Sequence, residues 1–266
     1  MRSTIVSLIS VGVVNAGEKL IWEDNFDTLD LNRWEHELNR SGGGNGEFEE
    51  YRNNRSNSFT RDGVLYIQPN LAFNYSDEES LSNEASKVSG GEPADASNNE
   101  SIFDFKKNTG ATANDFKPIM SARMKTVNSF SFKYGRVETR AKMPKGDWIW
   151  PAIWFLPTHS EYGPWPASGE IDVVESRGNS PSCSAGGNDS FGSTLHMGPD
   201  WRNDAWYTAH SGYKHNASLG DDFHIYGLIW TDKRIQTYFD HPNNIVLDID
   251  MSHISNWERG NFPRNF

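Results

Sequence analysis

Apolar and polar positions along this chain recur mostly at a period of two, in short runs broken by turn-forming residues. PIMSARMKT (118–126) and YGRVETRAKM (134–143) alternate in this way, which predicts strands with one face turned inward. RDGVLYIQP (61–69) reads as a tight Asp62–Gly63 turn leading into a strand. STLHM (193–197), FHIYGLIW (223–230), RIQTYFD (234–240) and NIVLDID (244–250) continue the extended character. WPAIWFLP (150–157) is almost continuously apolar and predicts a strand buried on both faces. Helical periodicity is scarce; MSHISNWERG (251–260) has room for one helical turn. The pattern predicts an all-β sandwich in one domain, without internal repeats.

Two stretches depart from it. Residues 1–16 place Arg2 before an apolar run from Ile5 to Val14, with VNA offering a cleavage point after Ala16, so they read as a secretory signal ahead of a domain at 17–266. Residues 74–115 are acidic, rich in Ser and Asn and nearly without aliphatics, and are expected to form a long loop. The chain stops at GNFPRNF, directly after strand-rich sequence, which predicts strands missing from its C-terminal end.

Composition narrows the function. At 266 residues the chain can bury a full core, and a net charge of -11 argues against phosphate-backbone or anionic-membrane partners. Apart from the leader, no stretch is long and apolar enough to span a bilayer. Six Asn-X-Ser sequons, beginning at Asn39, Asn54, Asn74, Asn99, Asn188 and Asn216, fit an extracellular location. Cys183 is the sole cysteine, so no internal disulfide is available. The 10 tryptophans supply broad apolar faces with a polar edge, suited to cores and to stacking on sugar rings.

GEIDVVES (169–176) carries three carboxylates at uneven spacing: Glu170, Asp172 and Glu175. Residues i and i+2 of a strand share a face, so Glu170 and Asp172 do. Regular alternation would next bring Val174 to that face; one inserted residue, a β-bulge, would bring Glu175 there instead. Paired carboxylates on one face suit retaining glycoside hydrolysis, with the charged neighbours raising the proton affinity of Glu175. A solvated acidic strand or a calcium site remains an alternative reading of the spacing. Trp165 lies before the acids, and Trp148, Trp150 and Trp154 lie in GDWIWPAIWFLP (146–157). His196 in STLHMG (193–198) is placed to assist proton traffic from a neighbouring strand. Asn45, Glu47 and Glu49 follow a glycine-rich loop, where backbone can approach a ligand closely.

WPASGEIDVVES, with KYGRVETRAKMPKGDWIWPAIWFLP before it and STLHMG after it, closely resembles glycoside hydrolase family 16. NNRSNSFTRDGVLYIQP (53–69) resembles the branch of invertebrate endo-β-1,3-glucanases (laminarinases) and β-1,3-glucan-binding proteins. The resemblance implies a concanavalin A-like β-jelly roll with a concave glycan-binding cleft. It implies Glu170 as nucleophile, Asp172 as assisting acid and Glu175 as acid/base. By the same resemblance Trp165, Trp150 and Trp154 line the cleft, His196 lies near the acid/base, and Asn45 and Arg140 contact substrate. The expected partner is a β-1,3-glucan; the expected protein is a secreted monomer without metal or cofactor. All three acids are present, which favours an enzyme over a recognition protein that has lost them.

Overall fold

The computed structural model of the chain describes residues 4–6, 18–43, 45–71 and 117–263. Residues 1–16, read above as a secretory signal, apart from a strand at Thr4–Val6, and the acidic stretch 74–115 lie outside the described residues. In chain order the strands are β1 (Thr4–Val6), β2 (Glu35–His36), β3 (Glu49–Tyr51), β4 (Ser58–Arg61), β5 (Val64–Ile67), β6 (Asn70–Leu71), β7 (Ile119–Ser121), β8 (Met124–Lys125) and β9 (Gly135–Lys142). They continue as β10 (Ala152–Phe155), β11 (Glu170–Ser176), β12 (Ser190–His196), β13 (His210–Lys214), β14 (His224–Trp230), β15 (Arg234–Phe239) and β16 (Ile245–Asp250). A single helical turn, α1 (Asn256–Arg259), starts where the sequence allows one, because Ser255 and Glu258 form a reciprocal capping box. Among the described residues no helix is long and apolar enough to cross a membrane.

The chain divides into two compact units: Met1–Asp27, Asp62–Val64 and Phe130–Phe266 make one, Thr28–Arg61 and Leu65–Ser129 the other. The first unit contains two antiparallel sheets. One runs in the order β16-β15-β14-β9-β1, the other β10-β11-β12-β13. Alternation decides which residues meet between them. In FHIYGLIW, Tyr226 and Leu228 turn inward and are 1% and 0% exposed. Val174, Phe191 and Leu195 from the four-stranded sheet join Ala141, Leu228, Ile235, Phe239 and Leu247 in one core. Phe191 stacks obliquely on Phe239 with ring centroids 5.7 Å apart and meets Tyr226 edge-on at 5.4 Å.

WPAIWFLP does form a strand, but it is not buried on both faces. β10 is the outermost strand of the described four-stranded sheet, with Ala152 exposed and Ile153, Trp154 and Phe155 half-buried. Ile153 and Phe155 pack on the core while Trp154 turns the other way. The run is continuously apolar because it serves two surfaces, the core and the face that carries the acids. PIMSARMKT likewise departs from one strand: β7 pairs parallel with β3, whereas β8 pairs with β2.

In the second unit, small sheets are tied by buried polar side chains. The Asn57 amide donates to Gln68 O, Met120 O and Asn70 Oδ1, and His36 Nε2 sits 2.7 Å from Ser58 Oγ. Burial and then the Arg55 charge push the His36 pKa down to about 4, so the ring is neutral. The Asp62–Gly63 turn between β4 and β5 has φ of 54° and 69°, the left-handed pair that a two-residue hairpin favours.

Gly227 in β14 lies under the ring of Tyr238 from β15; a Cβ there would fall 2.0 Å from that ring. Gly227→Ala is therefore expected to destabilise the first unit by about 1–3 kcal/mol or more, read as a lower urea midpoint at unchanged slope.

Candidate active site

The acids lie on β11, and the strand is irregular where the sequence steps from two residues to three. Asp172 faces Thr194 and Glu175 faces Gly192 on β12, so three residues on β11 span two on its partner. On the other side Trp154 faces Asp172 and Ile153 faces Val174. Val173 has no partner on either neighbour and is the inserted residue. The insertion returns Glu175 to the face of Glu170 and Asp172, while Ile171, Val173 and Val174 are buried in the core. Asp172 is 2% exposed, and the two glutamates are half-buried.

Each glutamate has its own indole donor. Trp165 Nε1 donates to Glu170 Oε2 at 2.5 Å, and the Trp150 indole donates to Glu175. Trp165 is held by a compact loop: Ser168 Oγ donates to Gly163 O and accepts from Tyr162 N, and Gly169 N closes on Pro166 O. The Trp165–Pro166 peptide bond is cis. Gly169, at φ 85°, takes a turn that leads directly into Glu170 and that a side-chain-bearing residue rarely adopts.

His196 faces Glu170 across the β11–β12 pair. Its Nδ1 lies 2.6 Å from Asp204 Oδ2, and its Nε2 stands 3.2 Å from Asp172 Oδ2, an ion-pair contact without hydrogen-bond alignment. Asp204 is itself fixed, its Oδ1 accepting from Met197 N and Trp206 N. The loop returns Asp204 to His196 by passing close to Gly198, where a Cβ would lie 2.2 Å from Asn203 O.

The charges interact strongly. Burial, then the Asp172 charge and hydrogen bond, push Glu170 up to about 8; His196 and the Trp165 N–H oppose that. Burial and Asp172 push Glu175 up to about 7, opposed by His196, Arg177 and Trp150. Burial acts to lower His196, but the close contacts with the charged Asp172 and Asp204 outweigh it and hold the ring up at about 9. At neutral pH His196 is thus a cation between two carboxylates, and Glu170 is largely protonated. Glu170, Asp172 and His196 offer donor atoms within 4.8 Å of one another. Both His196 ring nitrogens face carboxylates, Nδ1 in a hydrogen bond with Asp204 and Nε2 in an ion-pair contact with Asp172.

The face continues beyond the acids. Trp154 stands beside Asp172, and the Trp165 ring lies 5.3 Å from His196. Thr194 pairs with His210 on β13, and their side chains meet at 2.9 Å. Of the residues expected here, Trp150, Trp154, Trp165 and His196 gather around the acids. Arg140 is not brought to them. It alternates on β9 with core residue Ala141, so it points outward from the opposite sheet and covers the Phe223 ring at 4.3 Å. Asn45 belongs to the second unit, where its amide donates to Glu47. Asp204, Thr194 and His210 were not evident in the sequence; an aspartate in a polar loop and a second histidine on an edge strand have no distinctive spacing.

An antiparallel jelly-roll sandwich with paired carboxylates and indoles on one open face is the class that fold and site define. The chain belongs to glycosyl hydrolase family 16, whose family model matches residues 83–250. The Beta-1,3-glucan-binding protein of Penaeus monodon is 46% identical over 231 residues, covering 86% of this chain and 63% of that protein. The Glucan endo-1,3-beta-glucosidase of Cryptopygus antarcticus is 33% identical over 225 residues, covering 83% and 66%. The chain therefore spans about two thirds of the length of these curated relatives. Among solved structures, the laminarinase catalytic domain of Thermotoga maritima matches with a TM-score of 0.62 at 26% identity, over 87% of this chain and 77% of that one.

Removing the Asp204 charge with Asp204→Asn is expected to lower the His196 pKa from about 9 by about one pH unit or more, because one of two stabilising carboxylates is lost. Imidazole titration by NMR checks this.

Proposed function

We propose that this chain is a secreted, retaining endo-glycosidase acting on β-1,3-glucans. The observation that carries the proposal is the bulged β11, which turns Glu170, Asp172 and Glu175 to one face and leaves each glutamate beside an indole donor. Glucanases among the relatives and an intact acid triplet support it.

The roles follow from the partners. The nucleophile is the ionised form of Glu170, steadied by the Trp165 N–H and the His196 cation. That form attacks the anomeric carbon. Glu175, protonated below about pH 7, gives its proton to the departing glycosidic oxygen. A covalent glycosyl-enzyme results, and Glu175, now a base, draws a proton from the water that cleaves it. Trp150, Trp154 and Trp165 offer ring faces to the pyranose chain. Asn45 is proposed as a further contact, and the protein is proposed to act as a monomer.

A second reading is a glucan-recognition protein without turnover, favoured by the name of the 46%-identical relative. Reducing-sugar release from laminarin separates the two. On the enzyme reading Glu175→Gln and Glu170→Gln lower kcat by about 10²–10⁴-fold or more while pull-down on insoluble glucan persists. Pull-down by the unaltered, folded protein with no oligosaccharide released would establish recognition alone.

The pH profile carries a sign. Glu170 must be ionised and Glu175 must hold its proton, so kcat/KM is expected to peak between about 7 and about 8 and to fall on either side. Trp150→Phe removes a donor that favours the carboxylate, so the alkaline limb should move to higher pH, by a few tenths to about one unit.

A further inference from the structure

A bulge leaves an unpaired backbone group, and in β11 that group is buried. Val173 lacks a ladder partner on both sides. Its carbonyl accepts instead from Ser193 Oγ at 2.5 Å, and Ser193 is the β12 residue opposite the insertion, 0% exposed. Ser193 Oγ in turn accepts from Thr237 Oγ1 at 2.8 Å, and Thr237 belongs to β15 of the facing sheet. Thr237 Oγ1 accepts from Leu247 N at 3.2 Å. Leu247 lies where β16 is irregular too: Thr237 faces Leu247 but Tyr238 faces Ile245, which leaves Val246 as the inserted residue. Every link points the same way, from the Leu247 N–H through two hydroxyls to the Val173 carbonyl. Two irregularities in facing sheets are thus joined through an otherwise apolar core.

We infer that Ser193 and Thr237 are positioning residues for Glu175, the two hydroxyls fixing the Val173 bulge from the far sheet. The Val173 carbonyl lies at the core, so losing the Ser193 hydroxyl deprives a buried acceptor of that donor. The strand can relieve that only by shifting the bulge, and a shift of one residue turns side chains to the opposite face. The hydroxyls touch none of the groups that face Glu175, namely Asp172, His196, Arg177 and the Trp150 indole. Their effect reaches it through the backbone alone.

Three variants test the inference. Thr237→Val keeps the shape and removes the hydroxyl; Thr237→Ser keeps the hydroxyl and removes the methyl; Ser193→Ala removes the donor to Val173. Two readouts apply: kcat and KM on laminarin, and the titration midpoint of the Glu175 carboxyl by 13C NMR in the absence of ligand. Thr237→Val and Ser193→Ala are expected to lower kcat about tenfold or more with KM within about twofold, and to move the Glu175 midpoint, while Thr237→Ser leaves both near the parent values. The kinetic readout rests on the glucanase reading; the titration does not, so a parent protein without turnover leaves the NMR comparison decisive. Should Ser193→Ala fail to fold, Thr237→Val, which spares the Ser193–Val173 bond, carries the test. The inference is overturned if Thr237→Val leaves the Glu175 midpoint in place, or if Thr237→Ser shifts it equally.

Discussion

A strand shows its side chains to alternate faces, and β11 has to satisfy two faces at once. The inner one needs Ile171 and Val174 for the core; the outer one holds Glu170, Asp172 and Glu175. No regular strand with this sequence does both. The inserted Val173 reconciles them, and most other features of the first unit accommodate that insertion. Trp154 is opposite Asp172 and His196 opposite Glu170 because the strands on either side shift register with it.

Three carboxylates on one partly dry face would repel strongly. Two unit charges 4 Å apart cost about 4 kcal/mol at an effective dielectric constant near 20, equivalent to about three pH units. Burial and repulsion together raise both glutamates by amounts of that order, from 4.5 to about 8 and about 7. The fold tempers the repulsion in three ways. It holds a cationic imidazole between Asp172 and Asp204, places an indole N–H on each glutamate, and lets Glu170 keep its proton to about pH 8. Proton affinities near neutrality are what acid–base chemistry at physiological pH requires.

Much of this was legible in the sequence, because period and spacing are local properties. The all-β class followed from alternation, room for one helical turn from MSHISNWERG, the Asp62–Gly63 turn from its residue pair, and the bulge from the two-then-three spacing of the acids. What escaped notice depends on contacts between distant parts of the chain. Asp204 reaches His196 only because a loop folds past Gly198. WPAIWFLP was expected to be buried on both faces, since apolar composition cannot distinguish a core surface from an aromatic surface lining a site. Arg140 was expected, by resemblance, to contact substrate in the cleft; the alternation of β9 turns it outward from the other sheet, over the Phe223 ring.

The two indole donors have a further consequence. An indole has one polar atom, and in Trp165 and Trp150 it is already committed to a carboxylate. What these side chains still offer a visitor is flat hydrocarbon, which feels the outline of a ring but is blind to the arrangement of its hydroxyls. For the glucan proposed as substrate, selectivity among similar polymers would therefore arise elsewhere on the face, with the two tryptophans gripping without discriminating.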